Sequence, residues 1–213
     1  MPCCGQCAGI EKEFNAKIAA RELAAYRRRG VRGTTKALIA LLQQARVDGA
    51  TLLDIGGGVG AIQHELAAAG IGQITSVDAA PAYLEAQKAE ASRRGYASRV
   101  THLHGDFVAI GEQIPAHDIV TLDRVICCYP DMRALIERSA ERARRVFGAV
   151  YPRGTWWNVV GIALVNTLMR LRRSPFRTYV HPPGQIERIL GAHGLRLTAA
   201  KETLIWRVAV YAR

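Results

Sequence analysis

Leu52-Leu53-Asp54-Ile55-Gly56-Gly57-Gly58-Val59-Gly60 decides how this chain is read. A buried-looking strand ends beside an acid, and the backbone then breaks into a glycine-dense turn. Residues 61–69 continue with the pattern of a helix. Without a Cβ, glycine takes positive φ and lets a ligand lie against bare backbone. A strand–turn–helix of this kind, opening a parallel sheet, is where doubly wound α/β folds bind a nucleotide. Alone, the turn does not say which nucleotide.

The next strand narrows the choice. Gln73–Val77 leads to Asp78, 18 residues beyond Gly60, where an acid can accept both hydroxyls of an adenosine ribose. That spacing suits NAD or S-adenosylmethionine (SAM). Dinucleotide loops space their glycines G-x-G-x-x-G, which sets a helix N-terminus on the pyrophosphate. Here Gly56, Gly58 and Gly60 alternate behind Asp54. A carboxylate there would repel a pyrophosphate but could organise a cationic methionine end. His104-Gly105-Asp106-Phe107 closes the third strand.

Together, these residues resemble the class I SAM-dependent methyltransferases over about residues 50–153: a D-x-G-x-G-x-G loop, a ribose acid, and an acid beside the adenine amine. The resemblance implies an α/β, Rossmann-like class I methyltransferase fold. Its seven-stranded, mostly parallel sheet has the order 3-2-1-4-5-7-6, with one antiparallel strand and helices on both faces. It also implies SAM as cofactor. Asp54, Gly56, Gly57, Gly58 and Gly60 would serve the methionine end, Asp78 the ribose, and Asp106 with Phe107 the adenine.

The chain has 213 residues, 49% of them hydrophobic, enough for one domain with a full core. Within residues 1–213 the pattern divides into a helical cap (1–46), a SAM-binding core (47–153), an apolar and basic insert or lid (154–183), and a C-terminal helix and strand hairpin (184–213). Strands are expected at 51–55, 74–77, 100–103, 119–122, 146–150, 196–199 and 203–211. Helices are expected at 61–69, 81–94, 132–145, 156–171 and 185–192. In the cap, Phe14, Ile18, Leu23 and Tyr26 follow a helical period that Gly30 ends, and Thr34 or Thr35 is placed to cap the next helix. His102 and His104 flank what reads as a buried strand. The N-terminus lacks an apolar signal region, and no apolar run reaches the roughly 18 residues of a spanning helix. A cytoplasmic protein is expected, soluble or peripheral at a membrane.

Net charge is +11, which raises nucleic acid, anionic membrane or an acidic small molecule as partner. Arg27-Arg28-Arg29 with Arg32, and Arg170, Arg172, Arg173 with Arg177, fall outside the SAM-binding core, on the segments that build the acceptor side in this fold. Neither the Asn-Pro-Pro-Tyr motif of amino-group methyltransferases nor the paired cysteines of RNA cytosine enzymes is present. Nucleic acid therefore ranks below a small-molecule acceptor. Trp156–Leu171, apolar and flanked by tryptophans and arginines, reads either as a lid over the acceptor or as a helix touching an anionic membrane.

Methyl transfer asks the protein to hold, align and deprotonate the acceptor. Asp123 follows the fourth strand, where side chains point between donor and acceptor, so it is counted with both the cofactor and the catalytic groups. Tyr129 could bond or stack on the acceptor. His181, stiffened by Pro182 and Pro183, suits a general base. Tyr26 and His181 also resemble the cap tyrosine and loop histidine of the magnesium-protoporphyrin and, more loosely, quinone-biosynthesis O-methyltransferases. The reaction expected is methylation of a small, partly apolar, acidic acceptor at oxygen. Alternatives are an RNA methyltransferase, a thiol-rich enzyme dependent on a metal or metalloid, and a non-catalytic SAM-binding protein. Cys3, Cys4 and Cys7 with Cys127 and Cys128 motivate the metal alternative, although no zinc pattern is complete and no metal site is expected.

Overall fold

Leu52 and Leu53 are apolar in succession, so both faces of their strand must be covered. In the computed structural model, which describes residues 5–213 with side chains from residue 9 onward, that strand (Thr51–Ile55, β1) lies inside the sheet. It runs parallel to Gln73–Asp78 (β2) on one side and His117–Asp123 (β4) on the other. With Val100–His104 (β3), Ala143–Pro152 (β5), Arg196–Glu202 (β6) and Trp206–Ala212 (β7), the order is β3-β2-β1-β4-β5-β7-β6. This is the order the resemblance implied. Only β7 is antiparallel, and it sits one place in from the edge, between β5 and β6. The edge strand β6 is largely exposed and carries Arg196, Lys201 and Glu202, charges that discourage pairing with another chain.

The helices are Gly5–Glu13 (α1), Ala16–Arg29 (α2), Gly33–Leu42 (α3), Ala61–Ala68 (α4), Pro81–Arg93 (α5), the single turn Phe107–Ile110 (α6), Met132–Glu141 (α7), Trp156–Leu171 (α8) and Pro183–Ala192 (α9). One core cluster joins α7 and α9 to the sheet through Ile136, Leu190 and Phe147; the other joins α3 and α4 through Leu38, Leu42 and Leu66. Gly148 lets α3 approach β5, because a Cβ there would lie 3.0 Å from both Leu38 and Leu42 side chains.

Four expectations need correction. The helix expected to reach 145 stops at Glu141, because Ala143 already pairs with His117 of β4. Partners on both sides of β5 outweigh the helical look of Arg142-Arg144-Arg145. The cap's first helical period is split at Asn15, whose side chain accepts from the amides of Lys17 and Ile18 and so starts α2. Neither Thr34 nor Thr35 caps α3: Arg32 holds that position without a side-chain bond. His102 and His104 lie on β3, which is an edge strand and only partly covered.

Candidate active site

The sheet order reverses between β1 and β4, and a crevice opens there beyond the C-terminal strand ends, as general rules for open α/β sheets require. It is a pocket of about 430 Å³. One half is the glycine turn. Gly56, Gly58 and Gly60 have φ of +62°, +56° and +82°. A Cβ at Gly56 would meet Val125 at 2.6 Å and one at Gly57 would meet Asp54 Oδ2 at 2.2 Å, whereas Gly58 faces open space. Bare backbone is therefore presented to the pocket by Gly56, Gly57 and Gly58. Gly60, at the start of α4, does not line it.

Three buried side chains brace this turn. Asp78 accepts from Gly58 N at 3.2 Å and Ala80 N at 2.8 Å. Gln87 donates to Gly58 O at 2.7 Å and accepts from Ser76. His64 donates through Nε2 to Val59 O at 2.8 Å, while Tyr96 donates to its Nδ1. Burial lowers the His64 pKa to about 4, so the ring is neutral near pH 7. Burial raises Asp78 to about 6, opposed by its backbone donors.

Asp54 is completely buried beneath Gly57 rather than in the pocket wall. Thr121 donates to its Oδ1 at 2.7 Å, but Oδ2 has no partner among the described residues. Burial, reinforced by the charges of Asp123 and Asp78, raises this carboxyl to about 7 against the Thr121 bond. Asp106 caps α6 by accepting from Val108 N, and Phe107 packs into the core beside it with one side on the pocket. The Tyr129 hydroxyl lies 3.0 and 2.9 Å from the two Asp106 oxygens. Tyr129 itself lines the pocket.

The other half of the pocket is assembled from distant segments. Asp123 ends β4 and accepts from Thr35 of α3 at 2.5 Å and from Arg124 Nε at 3.2 Å. Arg124 has φ +61°, a left-handed conformation that a side chain of this size rarely takes. It swings the guanidinium back onto Asp123 and onto Thr35, 3.3 Å from Nη2. Ile10, Phe14 and Phe176 supply apolar walls, and Phe14 meets Phe176 edge-on at 5.6 Å. Tyr83, also lining, donates to Glu22 of α2 at 2.8 Å.

Cys127 and Cys128 line the same half. Their sulfurs are 3.8 Å apart, at 3.3 and 3.4 Å from Arg124 O. The bond from one to the other raises the Cys127 pKa and lowers that of Cys128. Cys3, Cys4 and the side chain of Cys7 lie outside the described residues, within which no group of three or more metal-binding side chains forms.

Two expected catalytic groups are not brought to the pocket. Tyr26 is buried with its hydroxyl on Glu65 at 2.7 Å, its face 5.5 Å from His64 and 5.0 Å from the Arg94 guanidinium. It fastens α2 to α4 and α5. His181 stacks on Tyr179 and donates through Nε2 to Tyr129 O at 2.9 Å, and it does not line the crevice. Burial lowers its pKa. Thr35, Tyr83, Gln87 and Arg124 are the residues that sequence reasoning missed. Only Thr35 carried any signal, and it read as a helix cap.

Residues 52–149 match the family model of the methyltransferase domain. No curated protein sequence matches the chain. Magnesium protoporphyrin IX methyltransferase from Synechocystis PCC 6803 is similar in structure, with a TM-score of 0.69 at 21% identity over 84% of this chain and 82% of that one. An O-methyltransferase family protein from Burkholderia thailandensis has a TM-score of 0.71 at 15% identity, over 96% and 62%. The cyclase SpnF scores 0.64 at 13% identity, over 84% and 81%. At these identities the likeness is one of fold, and a fold of this kind hosts more than one reaction. The donor half fits SAM on this structure's own terms: a glycine turn open at Gly58, a carboxylate at the end of β2, another at the end of β3, and a buried unpartnered oxygen below the turn. Residues 52–149 thus match the methyltransferase-domain model, and the sheet around them has the class I methyltransferase order.

Proposed function

We propose that the protein methylates an oxygen of a small, partly apolar, acidic acceptor. The observation that carries this reading is Arg124, a cation held at positive φ beside Asp123 in a pocket half whose apolar walls are Ile10, Phe14 and Phe176. A guanidinium has five donors, and the contacts to Asp123 and Thr35 use Nε and Nη2. Among the described residues, Nη1 remains for an acid on the acceptor. At about 430 Å³ the whole pocket is near the low end for small-ligand sites, so the acceptor that shares it with the cofactor is small.

When bound, SAM supplies a methyl group on a good leaving group. Gly56, Gly57 and Gly58 would hold its methionine end, Asp78 its ribose and Asp106 its adenine, with Tyr129 aiming the Asp106 carboxylate. Thr35 and Arg124 hold the two oxygens of Asp123 so that one faces the acceptor, to orient its hydroxyl or take its proton. Phe14 and Phe176 exclude water. Labelled methyl from SAM, offered to the full chain with metabolite extract and separately with total RNA, tests the reading. A labelled small ester or ether is expected, and Arg124→Gln should raise its KM at least about tenfold while sparing SAM binding. Label in RNA alone, or none in either pool, overturns it.

The cysteine pair favours a second reading. Two thiolates about 2.3 Å from one tetrahedral ion stand about 3.8 Å apart, the separation found between the Cys127 and Cys128 sulfurs. An acceptor held through sulfur, a soft metal or metalloid, would use that spacing. Such an ion retained on purification, and lost in Cys128→Ser, would put this reading first.

A further inference from the structure

Helix α8 is built with its polarity reversed. The positions turned toward the protein are Asn158, which is buried, and Ile162, Asn166 and Met169, which are half-buried. Asn158 donates to Arg153 O and Ile205 O, both at 2.8 Å. Asn166 donates to Thr178 O at 2.8 Å and accepts from Thr178 N at 2.9 Å. The outward face carries Trp156, Leu164 and Leu171, 74%, 67% and 77% exposed, with Val159, Val160 and Leu168 among them. A surface helix of a water-soluble protein normally turns the opposite way.

The apolar surface continues beyond the helix. Leu204 and Ile205, in the turn between β6 and β7, are exposed, and Trp157 Nε1 ties that turn to α8 by donating to Leu204 O at 3.2 Å. Among the described residues, every exposed large hydrophobic except Leu197 lies on α8 or this turn. Scattered apolar residues need no explanation, but a contiguous patch marks an interaction surface.

Charge selects the partner. Helix α8 contains no acid, and the exposed Arg170, Arg172 and Arg173 stand at its C-terminal end. Glu202, beside the turn, is already paired with Arg153 at 3.1 Å and Arg207 at 3.2 Å. A second copy of this face would bring more arginine and no acid to meet it. Lipid phosphates would satisfy the arginines, tryptophan suits the headgroup level, and the apolar row suits the acyl boundary. Sixteen residues make a helix of about 24 Å, short of the roughly 30 Å needed to cross, and no helix among the described residues is long and apolar enough to span a membrane.

We propose that α8 and the Leu204–Ile205 turn seat the protein on an anionic membrane surface, with the helix lying in the headgroup plane. Thr178, held by Asn166, and Trp206, next to Ile205, both line the pocket. A docked protein therefore holds its acceptor side close to the bilayer. On the reading of an apolar acceptor proposed above, the substrate is one that partitions into lipid.

Sedimentation of the full chain with phosphatidylcholine vesicles, with and without phosphatidylglycerol, tests this without any methyl donor, so its failure leaves the methyl-transfer reading standing. Binding to the anionic vesicles at low salt is expected, falling steeply as salt is raised. Trp156→Ala with Leu164→Glu should lower the partition coefficient at least about tenfold. Both positions are exposed, so the melting temperature should stay unchanged and report that the variant is folded. No binding of the intact chain to anionic vesicles at low salt overturns the proposal, as does equal binding by the double variant. Concentration-dependent dimerisation that the same substitutions abolish, without lipid binding, would overturn it in favour of a self-interface.

Discussion

The two halves of the pocket are built on different plans. The half proposed to take the donor is local: Asp54, the glycine turn and α4 follow one another in the chain, and Asp78, Ser76 and Gln87 brace the turn from the next strand and helix. The half proposed to take the acceptor is pieced together across the sequence. Thr35 bonds Asp123 from 88 residues away, and Phe14 packs on Phe176. A site whose geometry lies in one supersecondary unit leaves little freedom for substitution. A site assembled from a cap, a strand end and an insert can change its lining without disturbing the donor. This is a physical reason why one fold serves many acceptors.

The contrast predicts the largest damage where packing under the turn is tightest. Gly57→Ala places a Cβ 2.2 Å from Asp54 Oδ2, so either the turn or the buried carboxylate must move. SAM binding, followed by calorimetry, is expected to weaken by at least about a hundredfold, or roughly 3 kcal/mol. The double variant Gly57→Ala/Asp54→Ala removes the obstructing carboxylate and should recover part of that loss. No recovery would mean that the turn fails through its own backbone rather than through Asp54, and that the donor half is more local still.

A second effect concerns the pH dependence of stability. Asp54 has a folded pKa of about 7 against an ordinary carboxyl value of 3.8. Between those values the folded state binds more protons than the unfolded one, so stability through this group falls as pH rises from about 4 to 7 and stays low above it. His64 works in the opposite sense: its folded value of about 4 lies below 6.5, so its contribution is lost as pH falls through that window. The two oppose each other in the wild-type profile. Comparing wild type with Asp54→Asn isolates the carboxyl. The variant should gain stability relative to wild type as pH rises to 8, measured by denaturant unfolding without cofactor. A constant difference between pH 4 and 8 would mean that Asp54 has found a partner for Oδ2.

What could be read beforehand follows the same division. The central strand, the turn and the acids at residues 78 and 106 are signalled by alternating glycines and strand-end carboxylates, features with a local physical cause. Position 124 carries no such mark, because nothing in an arginine announces positive φ. Thr35 looked like a helix cap, since the hydroxyl that can cap can equally reach a carboxylate brought near by tertiary packing. The limit of helix α7 was misplaced because Arg142, Arg144 and Arg145 suit a helix by propensity, while the pairing of Ala143 with β4 and of Val146 with β4 and β7 draws the segment after Arg142 into β5.

The smallest effects separate the two tyrosine and threonine roles that the sequence confused. Thr35→Val keeps the shape of the side chain and removes the hydroxyl shared by Asp123 and Arg124. Turnover is expected to fall about tenfold, equivalent to about 1.4 kcal/mol, with SAM affinity changed less than about twofold. Tyr26→Phe removes only the bond to Glu65 on the opposite side of the turn. Its cost belongs to stability, about 1 kcal/mol, which lowers the melting temperature of a domain this size by roughly 2–4 °C. Turnover should be unchanged. Measured together, the pair gives opposite patterns: one variant loses rate without stability, the other stability without rate. If Tyr26→Phe instead lost turnover at an unchanged melting temperature, the cap tyrosine would have to reach the reacting groups during catalysis, and α2 would belong to the acceptor half after all.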